Sequence, residues 1–462
     1  MQQWQKQAVA RLRGAIARDT SNPPGNELIL CDYLRNEAEK AGLYQRILKT
    51  APGRGNILIS PVEKWLEPEK SGFNDPDQAP LILLSHLDVV PANPDEWSFD
   101  PFSGDLRDGI IQGRGTLDTK QLTIMHLSAL EHLAETLGTS AERYKRPVIL
   151  MATADEERGS SEGLLKLLET HREWFRGASV LSEGGGFPLR LNNRSFYLCE
   201  SGQKGAAKVK ITWKKQPGSN PFFPDLSASG EAAEVVRKIN EIPWNFFVPE
   251  AVTEGLRRIA TGCVAPGNTS PNKAGPDELL DIIQPYSNDN IQAILRAMAS
   301  NTCAVTRMEG GRKNPEIKAP CDFALFLDCR LLPGCTRSDF ESYLKTITEG
   351  TRGEPEIMEF REGFVADPGS ELFDTLEREL REQLPEVRVV PFVSIGGSDG
   401  RFLAPHGARV YGWSPVLPDL TFDRVVSLVH GIDERIPVDS FLFGCENIRR
   451  VVRKMIVKEN NR

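Results

Sequence analysis

Histidine is scarce in this sequence: 462 residues contain only six, so chemistry that depends on imidazole has few places to sit. The eight cysteines include no C-x-x-C pair, which argues against a disulfide framework and against a thiolate metal knuckle. Reduced thiols in a cytoplasmic protein are expected, and Cys329 and Cys335, although close in sequence, are read as ordinary reduced residues. No apolar run approaches the roughly 20 residues needed to span a bilayer. The opening residues hold no apolar stretch of signal-peptide length before Arg11 and Arg13 interrupt them. Basic runs are absent too: 56 Lys and Arg stand against 64 Asp and Glu, a formal charge of −8. Neither nucleic acid nor an anionic membrane is therefore expected as a partner. There is no internal repeat and no low-complexity segment.

What remains is the pattern of a two-domain globular chain, since 462 residues exceed one ordinary core. Segments 4–18 and 26–42 carry helical spacing of apolar residues, separated by the turn cluster Thr20-Ser-Asn-Pro-Pro-Gly. Apolar runs at 55–59, 80–84, 147–152 and 178–181 read as buried strands, with a long helix at 119–137. Strands alternating with helices imply an α/β domain with a largely parallel sheet. The pattern changes after Gly205. A strand at 208–213, a helix at 228–242, strands at 303–308 and 321–329, a helix at 337–348 and a strand at 355–360 follow the order βαββαβ, the ferredoxin-like plan. The stretch 243–300 reads as a helical insertion within it. Helix and strand alternate again from about 361, ending in a helix at 437–457. The expected organisation is a discontinuous α/β domain, 1–204 and 359–462, interrupted by a satellite domain at 205–358.

A few polar residues stand where this plan places ligands. His86 ends the strand run Leu81-Ile-Leu-Leu-Ser, at the carboxyl end of a parallel strand, where open α/β sheets bind their ligands. Asp88 follows two residues later, near enough to accept the other ring N–H and fix the tautomer; a capping histidine in a turn is the plainer alternative. Asp118 lies in Gly113-Arg-Gly-Thr-Leu-Asp118-Thr-Lys120 at the mouth of the long helix. An aspartate there is commonly only an N-cap, and one G-x-G is too short for a dinucleotide fingerprint. Asp155-Glu156-Glu157 follows a buried strand, and three adjacent carboxylates in that place are costly unless a cation answers them. Glu183 follows another apolar run and precedes three glycines, and His430 lies in Val429-His430-Gly-Ile-Asp433-Glu434. The remaining histidines, His126, His132, His171 and His406, are read as non-catalytic.

Taken together, His86-Leu-Asp88-Val-Val-Pro91, Trp97, Pro101-Phe102, Asp108-Gly109, Gly113-Arg-Gly-Thr-Leu-Asp118-Thr-Lys120, Asp155-Glu156-Glu157, Glu183-Gly-Gly and His430-Gly resemble the dinuclear zinc hydrolases of the aminoacylase, glutamate carboxypeptidase and succinyl-diaminopimelate desuccinylase family. The resemblance continues at Asn314, at Asp328-Cys-Arg330-Leu-Leu-Pro-Gly334 and at Gly396-Gly397-Ser398-Asp-Gly-Arg401-Phe. It implies a phosphorylase/hydrolase-like zinc-peptidase catalytic domain with an inserted ferredoxin-like lid. It further implies two divalent metals, with zinc expected and cobalt or manganese able to substitute. Asp118 would bridge them, His86 and Glu183 completing one position and Glu157 and His430 the other. Glu156 would be the general base acting on a hydroxide shared by the metals, and Asp88 would orient His86. Arg330 and Asn314 would hold a substrate carboxylate, with Gly397, Ser398 and Arg401 also lining the substrate. The implied substrate is a dipeptide, a peptide C-terminus or an N-acyl amino acid, and the implied assembly is a pair of copies joined through the lid.

The pattern fails at one point. Family members carry a histidine early in the lid that stabilises the oxyanion, whereas the matching stretch here is Gln216-Pro217-Gly-Ser-Asn220-Pro, and no histidine lies between His171 and His406. Losing one such donor costs roughly 10²–10³ in rate. Asn220, Asn314 or an arginine would have to replace it, or the lid would close differently on another substrate. A metal-binding scaffold without catalysis is the alternative, against which Glu156 speaks, because a pure binding site needs no base. A two-metal phosphoesterase would want basic clamps around the ligands, and the sequence shows none.

Overall fold

The computed structural model describes residues 1–67, 79–216, 227–242, 244, 247–264, 271–310 and 321–458. The chain divides into two compact units. One comprises Met1–Ser201, Ala366–Pro391 and Ser398–Arg462; the other comprises Gly202–Val365 with Phe392–Gly397. The second unit thus begins three residues before the expected boundary at 205, runs on to 365 rather than 358, and takes in the short piece 392–397.

In the first unit the strands Val148–Thr153, Leu81–His86, Ser179–Ser182 and Arg409–Gly412 lie side by side and parallel. The first three are buried at every position. Their unbroken apolar runs follow from that burial: a strand covered on both faces has no polar face to alternate with. The sheet is parallel only in this centre. Tyr44–Ala51 and Arg54–Ser60 form an antiparallel pair beside Val148–Thr153. Beyond Arg409–Gly412 comes the antiparallel hairpin Phe187–Leu191 and Arg194–Gln203. Its turn residues Asn192 and Asn193 both have positive φ, as a type I′ turn requires. This hairpin was not foreseen, since Asn-Asn is a weaker signal than Asn-Gly. Tyr44–Ala51 escaped as well, because its side chains are mostly half-exposed and make no apolar run. The long helix Lys120–Leu137 packs against Gln3–Ile16 and the last helix, Val438–Ile456.

The second unit carries the βαββαβ order: Gly205–Gln216, Ala228–Glu241, Thr302–Gly310, Cys321–Leu331, Arg337–Thr348 and Glu354–Arg361. Its antiparallel sheet runs in the order Thr302–Gly310, Cys321–Leu331, Gly205–Gln216, Glu354–Arg361, the ferredoxin-like arrangement. Val209, Ile211, Leu325 and Leu327 on the strands meet Val235, Phe340, Leu344 and Ile347 on the two helices in one core. The insertion consists of helices Glu250–Cys263, Pro276–Ile283 and Asp289–Ala299. Cys329 faces Cys303 across the sheet at 3.3 Å between sulfurs, so its neighbour in space is not its neighbour in sequence, Cys335. Among the described residues no helix is long and apolar enough to cross a membrane.

One core residue of the first unit is at odds with its surroundings. His126, on Lys120–Leu137, is fully buried, and neither ring nitrogen has a hydrogen-bond partner. Burial pushes its pKa down to about 3. Such a group costs nothing by titration above the unfolded value of about 6.5. As pH falls from there towards about 3, the unfolded chain gains a proton that the folded chain refuses, and stability drains away. Unpaired buried polar groups also cost about 1–3 kcal/mol at any pH. His126→Leu is therefore expected to raise the melting temperature, and by more at pH 5 than at pH 8. Thermal melts at both pH values check this, and a lower melting temperature at both would overturn it.

Candidate metal centre

The register of the parallel strands decides which loops meet. His86 pairs with Thr153 across the sheet, and Leu83 pairs with Leu181 on the other side. The residues just past each carboxyl end, Asp155–Glu157 and Glu183, therefore come together beside His86, at the edge where such sheets bind ligands. Glycine is required after Glu183: a Cβ on Gly185 would run into the carbonyl of Gly412 and into the backbone of Leu198 and Glu200. Asp118 arrives from the turn before Lys120–Leu137. It does not cap that helix, whose N-cap is Thr119 without a side-chain bond. His430 arrives from the turn after Phe422–Leu428, with φ of 58°.

At the centre one carboxylate stands between two imidazoles. Asp118 Oδ1 lies 3.0 Å from His86 Nε2 and Oδ2 lies 2.9 Å from His430 Nε2. Glu183 Oε2 is 3.3 Å from the same His86 nitrogen, and Glu157 Oε2 is 3.2 Å from the same His430 nitrogen. Each oxygen of Asp118 thus has an imidazole beside it and a second carboxylate at that imidazole, and the donor atoms of His86, Asp118 and Glu157 also fall within 4.8 Å of one another. Glu156 Oε1 instead has Arg401 Nη1 at 3.8 Å, and the donor atoms of Glu156, His86 and Glu183 fall within 4.8 Å of one another.

The neighbouring charges shift the proton affinities here. Burial alone would lower the His86 pKa, but Glu183 and Asp118 drive it well above the usual histidine value. His430 is raised to about 10 by its bonds to Asp118 and Glu157. Burial favours the neutral form of Asp118, yet the two histidines hold its carboxyl well below the usual carboxylate range. Burial, reinforced by Glu183, raises Glu156 well above that range.

The carboxylates around this centre have structural partners that the sequence did not disclose. Asp155 turns away and takes Arg54 Nη2 at 2.9 Å, Asn22 Nδ2 at 2.9 Å and Ser161 Oγ at 2.8 Å. The cation that answers this first acid of the run is therefore Arg54. His86 Nδ1 is 2.9 Å from the backbone carbonyl of Asp88 and 3.5 Å from its carboxylate. The Asp88 carboxylate accepts the backbone N–H groups of Glu156 at 3.1 Å and Glu157 at 3.2 Å, and Asn22 Nδ2 at 2.9 Å. It thus holds the acid loop in place as well as standing beside His86. Lys120 is fully buried and donates to the carbonyls of Ala15 and Arg18. Asp399, buried, accepts from Ser160 and Thr153.

The residues expected to touch substrate are less gathered. Arg401 is beside Glu156, and Ser398 is buried with its hydroxyl accepting the Gly400 N–H at 3.3 Å. Gly397 and Arg330 belong to the second unit, where Arg330 Nε lies 3.4 Å from Asp328. Asn314 and the stretch from Pro217 to Asn220 lie outside the described residues. Arg54 carried no sequence signal, Asn22 was read only as part of a turn cluster, and Arg114, Asp399 and Glu434 sat inside quoted motifs without an assigned task.

The donor set fits a pair of divalent ions. Mixed imidazole and carboxylate donors suit zinc-type cations, and Glu157 Oε1 is buried without a partner, as a ligand oxygen would be. The sequence model of peptidase family M20/M25/M40 matches residues 82–454. N-fatty-acyl-amino acid synthase/hydrolase PM20D1 of Xenopus tropicalis is 28% identical over 373 residues, covering 79% of this chain and 70% of its own. Among solved structures, the M20 family metallo-carboxypeptidase Sso-CP2 of Sulfolobus solfataricus superposes with a TM-score of 0.63 at 19% identity, covering 98% of this chain and 99% of that one. The YXEP protein of Bacillus subtilis, described as a dinuclear metal binding peptidase, gives a TM-score of 0.54 at 11% identity, covering 97% of each chain.

Metal ligation requires neutral imidazole, and in the metal-free protein both histidines are raised. Titrating metal-stripped protein with cobalt is expected to release protons, and affinity should rise as pH is raised from about 6 to about 8. Calorimetry in two buffers of different ionisation enthalpy measures the release. Binding without proton release would remove these histidines from the ligand set.

Proposed function

Because the chain belongs to peptidase family M20/M25/M40, and is a metal-dependent hydrolase of amide bonds, we propose that two divalent ions, zinc by preference, sit on either side of Asp118. His86 and Glu183 would hold one ion, and Glu157 and His430 the other. The observation that carries this reading is the Asp118 carboxylate, with one oxygen directed at each imidazole. Bound there, such ions lower the pKa of water towards about 7 and polarise a carbonyl.

The remaining steps fall to the protein. Glu156 lies beside the donor set with Arg401, not an imidazole, as its ion-pair neighbour, and its carboxylate would take a proton from water and return it to the leaving nitrogen. Its buried setting favours holding that proton. The Asp88 carboxylate, through the Glu156 and Glu157 N–H groups, keeps base and ligand aimed in different directions. Arg330, together with Asn314, would pair with a free carboxylate on the substrate, a geometry to which the planar guanidinium is suited.

The substrate class we propose is an N-acyl amino acid or a peptide cut next to its C-terminal residue. The names of the PM20D1 relative and of the Sulfolobus carboxypeptidase support it. The second unit would act as the lid and as the surface through which two copies pair. A cytoplasmic setting is proposed with it, supported by the unbridged thiols of Cys31, Cys199, Cys329 and Cys445.

On a panel of N-acyl amino acids and dipeptides, Glu156→Gln is expected to lower kcat by about 10²–10⁴ while two metals stay bound, and Arg330→Ala to raise KM for carboxylate-bearing substrates. Steady-state kinetics with metal analysis decide it. Wild-type turnover by the Glu156→Gln variant would take the base role away from this residue.

A further inference from the structure

The turn that presents Asp118 and the turn that presents His430 are more than 300 residues apart in sequence, yet hydrogen bonds join them into one piece. Glu434, fully buried, is the junction. Its Oε2 accepts Arg114 Nη1 at 2.8 Å and the Gly115 N–H at 3.0 Å. Its Oε1 accepts the Leu117 N–H at 2.6 Å and the Asp118 N–H at 3.2 Å. A carboxylate offers about four acceptor positions, and all are used. Arg114 then reaches the other turn, where Nη2 donates to the carbonyl of Gly431, the residue after His430, at 2.9 Å. The backbone closes the junction, since the Gly113 N–H donates to the Glu434 carbonyl at 2.9 Å.

We propose that Arg114 and Glu434 are positioning residues that set the second metal position, the one formed by Asp118, Glu157 and His430; this rests on the dinuclear reading above. The two positions are anchored in different ways. His86 and Glu183 are fixed by the ends of paired parallel strands, and the His86 ring is locked by the Asp88 carbonyl. His430 has no strand behind it. Its side chain is 52% exposed, and its turn is held on the outer edge by Asp433, whose carboxylate accepts from Ser98 at 2.8 and 2.7 Å. Towards Asp118, the turn is held by Arg114 and Glu434.

The chemistry of the junction requires these residue types. A buried ion pair is seldom the most stabilising filling for its volume, and apolar side chains often do as well. Apolar side chains could not, however, accept three converging backbone N–H groups from the turn that aims Asp118. Glutamine, nearly identical in shape, would present two amide hydrogens to donors already there. Partners behind metal ligands typically cost about 10–100-fold in metal affinity when removed. That loss should fall on one ion: Asp118 would still reach towards His86, while His430 would lose its set distance from Asp118.

The test is competitive titration of metal-stripped protein with zinc against a chromophoric chelator, for the wild type, Glu434→Gln and Arg114→Lys. The wild type is expected to bind two ions. Each variant should keep one ion at wild-type affinity and bind the other about 10–100-fold more weakly. The kcat of each variant should fall at limiting zinc and recover as zinc is raised, a rescue that a merely structural defect would not show. Folded variants that bind both ions as tightly as the wild type, or that lose both equally, overturn the proposal. Should Glu434→Gln not fold, Arg114→Lys decides, because it keeps a cation for Glu434 while giving up the second guanidinium arm to Gly431. A wild type that binds fewer than two ions overturns the dinuclear reading itself, an outcome distinct from the failure of this junction.

Discussion

Carboxylates crowd the carboxyl edge of the parallel sheet, and their mutual repulsion is the constraint around which the rest of the first unit is built. Asp88, Asp118, Asp155, Glu156, Glu157, Glu183, Asp399 and Glu434 all lie near one another where solvent is scarce, and charges out of water repel strongly. The fold answers most of them individually. Asp155 has Arg54, Glu434 has Arg114, Asp88 has Asn22 and two backbone N–H groups, and Asp399 has Ser160 and Thr153. Among the described residues, the side chains of Asp118, Glu157 and Glu183 are met by imidazoles. These three carboxylates thus share two imidazoles rather than each having a partner of its own.

The sheet makes that arrangement durable. Parallel pairing places successive loops on one edge, and full burial of the strands fixes their register, because slipping by one residue would exchange every side chain between faces. Around this frame Asp118 and His430 lie on turns, and hydrogen bonds between those distant turns join them.

Much of the organisation was legible beforehand. The buried strands announced themselves by continuous apolar runs, the helices by their spacing, and the second unit by its βαββαβ order, which the sheet order of that unit matches. Elements without a strong apolar pattern went unseen, as with the half-exposed strand Tyr44–Ala51 and the hairpin turning at Asn192 and Asn193. The spatial neighbour of Cys329 was out of sight too: Cys335 is close in sequence, but antiparallel register brings Cys303 to it instead.

The sequence by itself determined the types of residue that the centre can use. Six histidines and a few acids at strand ends leave little choice of chemistry, and their order along the chain resembles one family. Only the tertiary structure decided which acids face the centre and which are tied back. Adjacent residues such as Asp155, Glu156 and Glu157 look alike in a string of letters. The left-handed turn at Asp155, with φ of 68°, and the distant donors Asn22 and Arg54 send them in three directions. The reason is physical: a carboxylate's role depends on what lies within hydrogen-bonding distance, and those partners come from parts of the chain that only folding brings near.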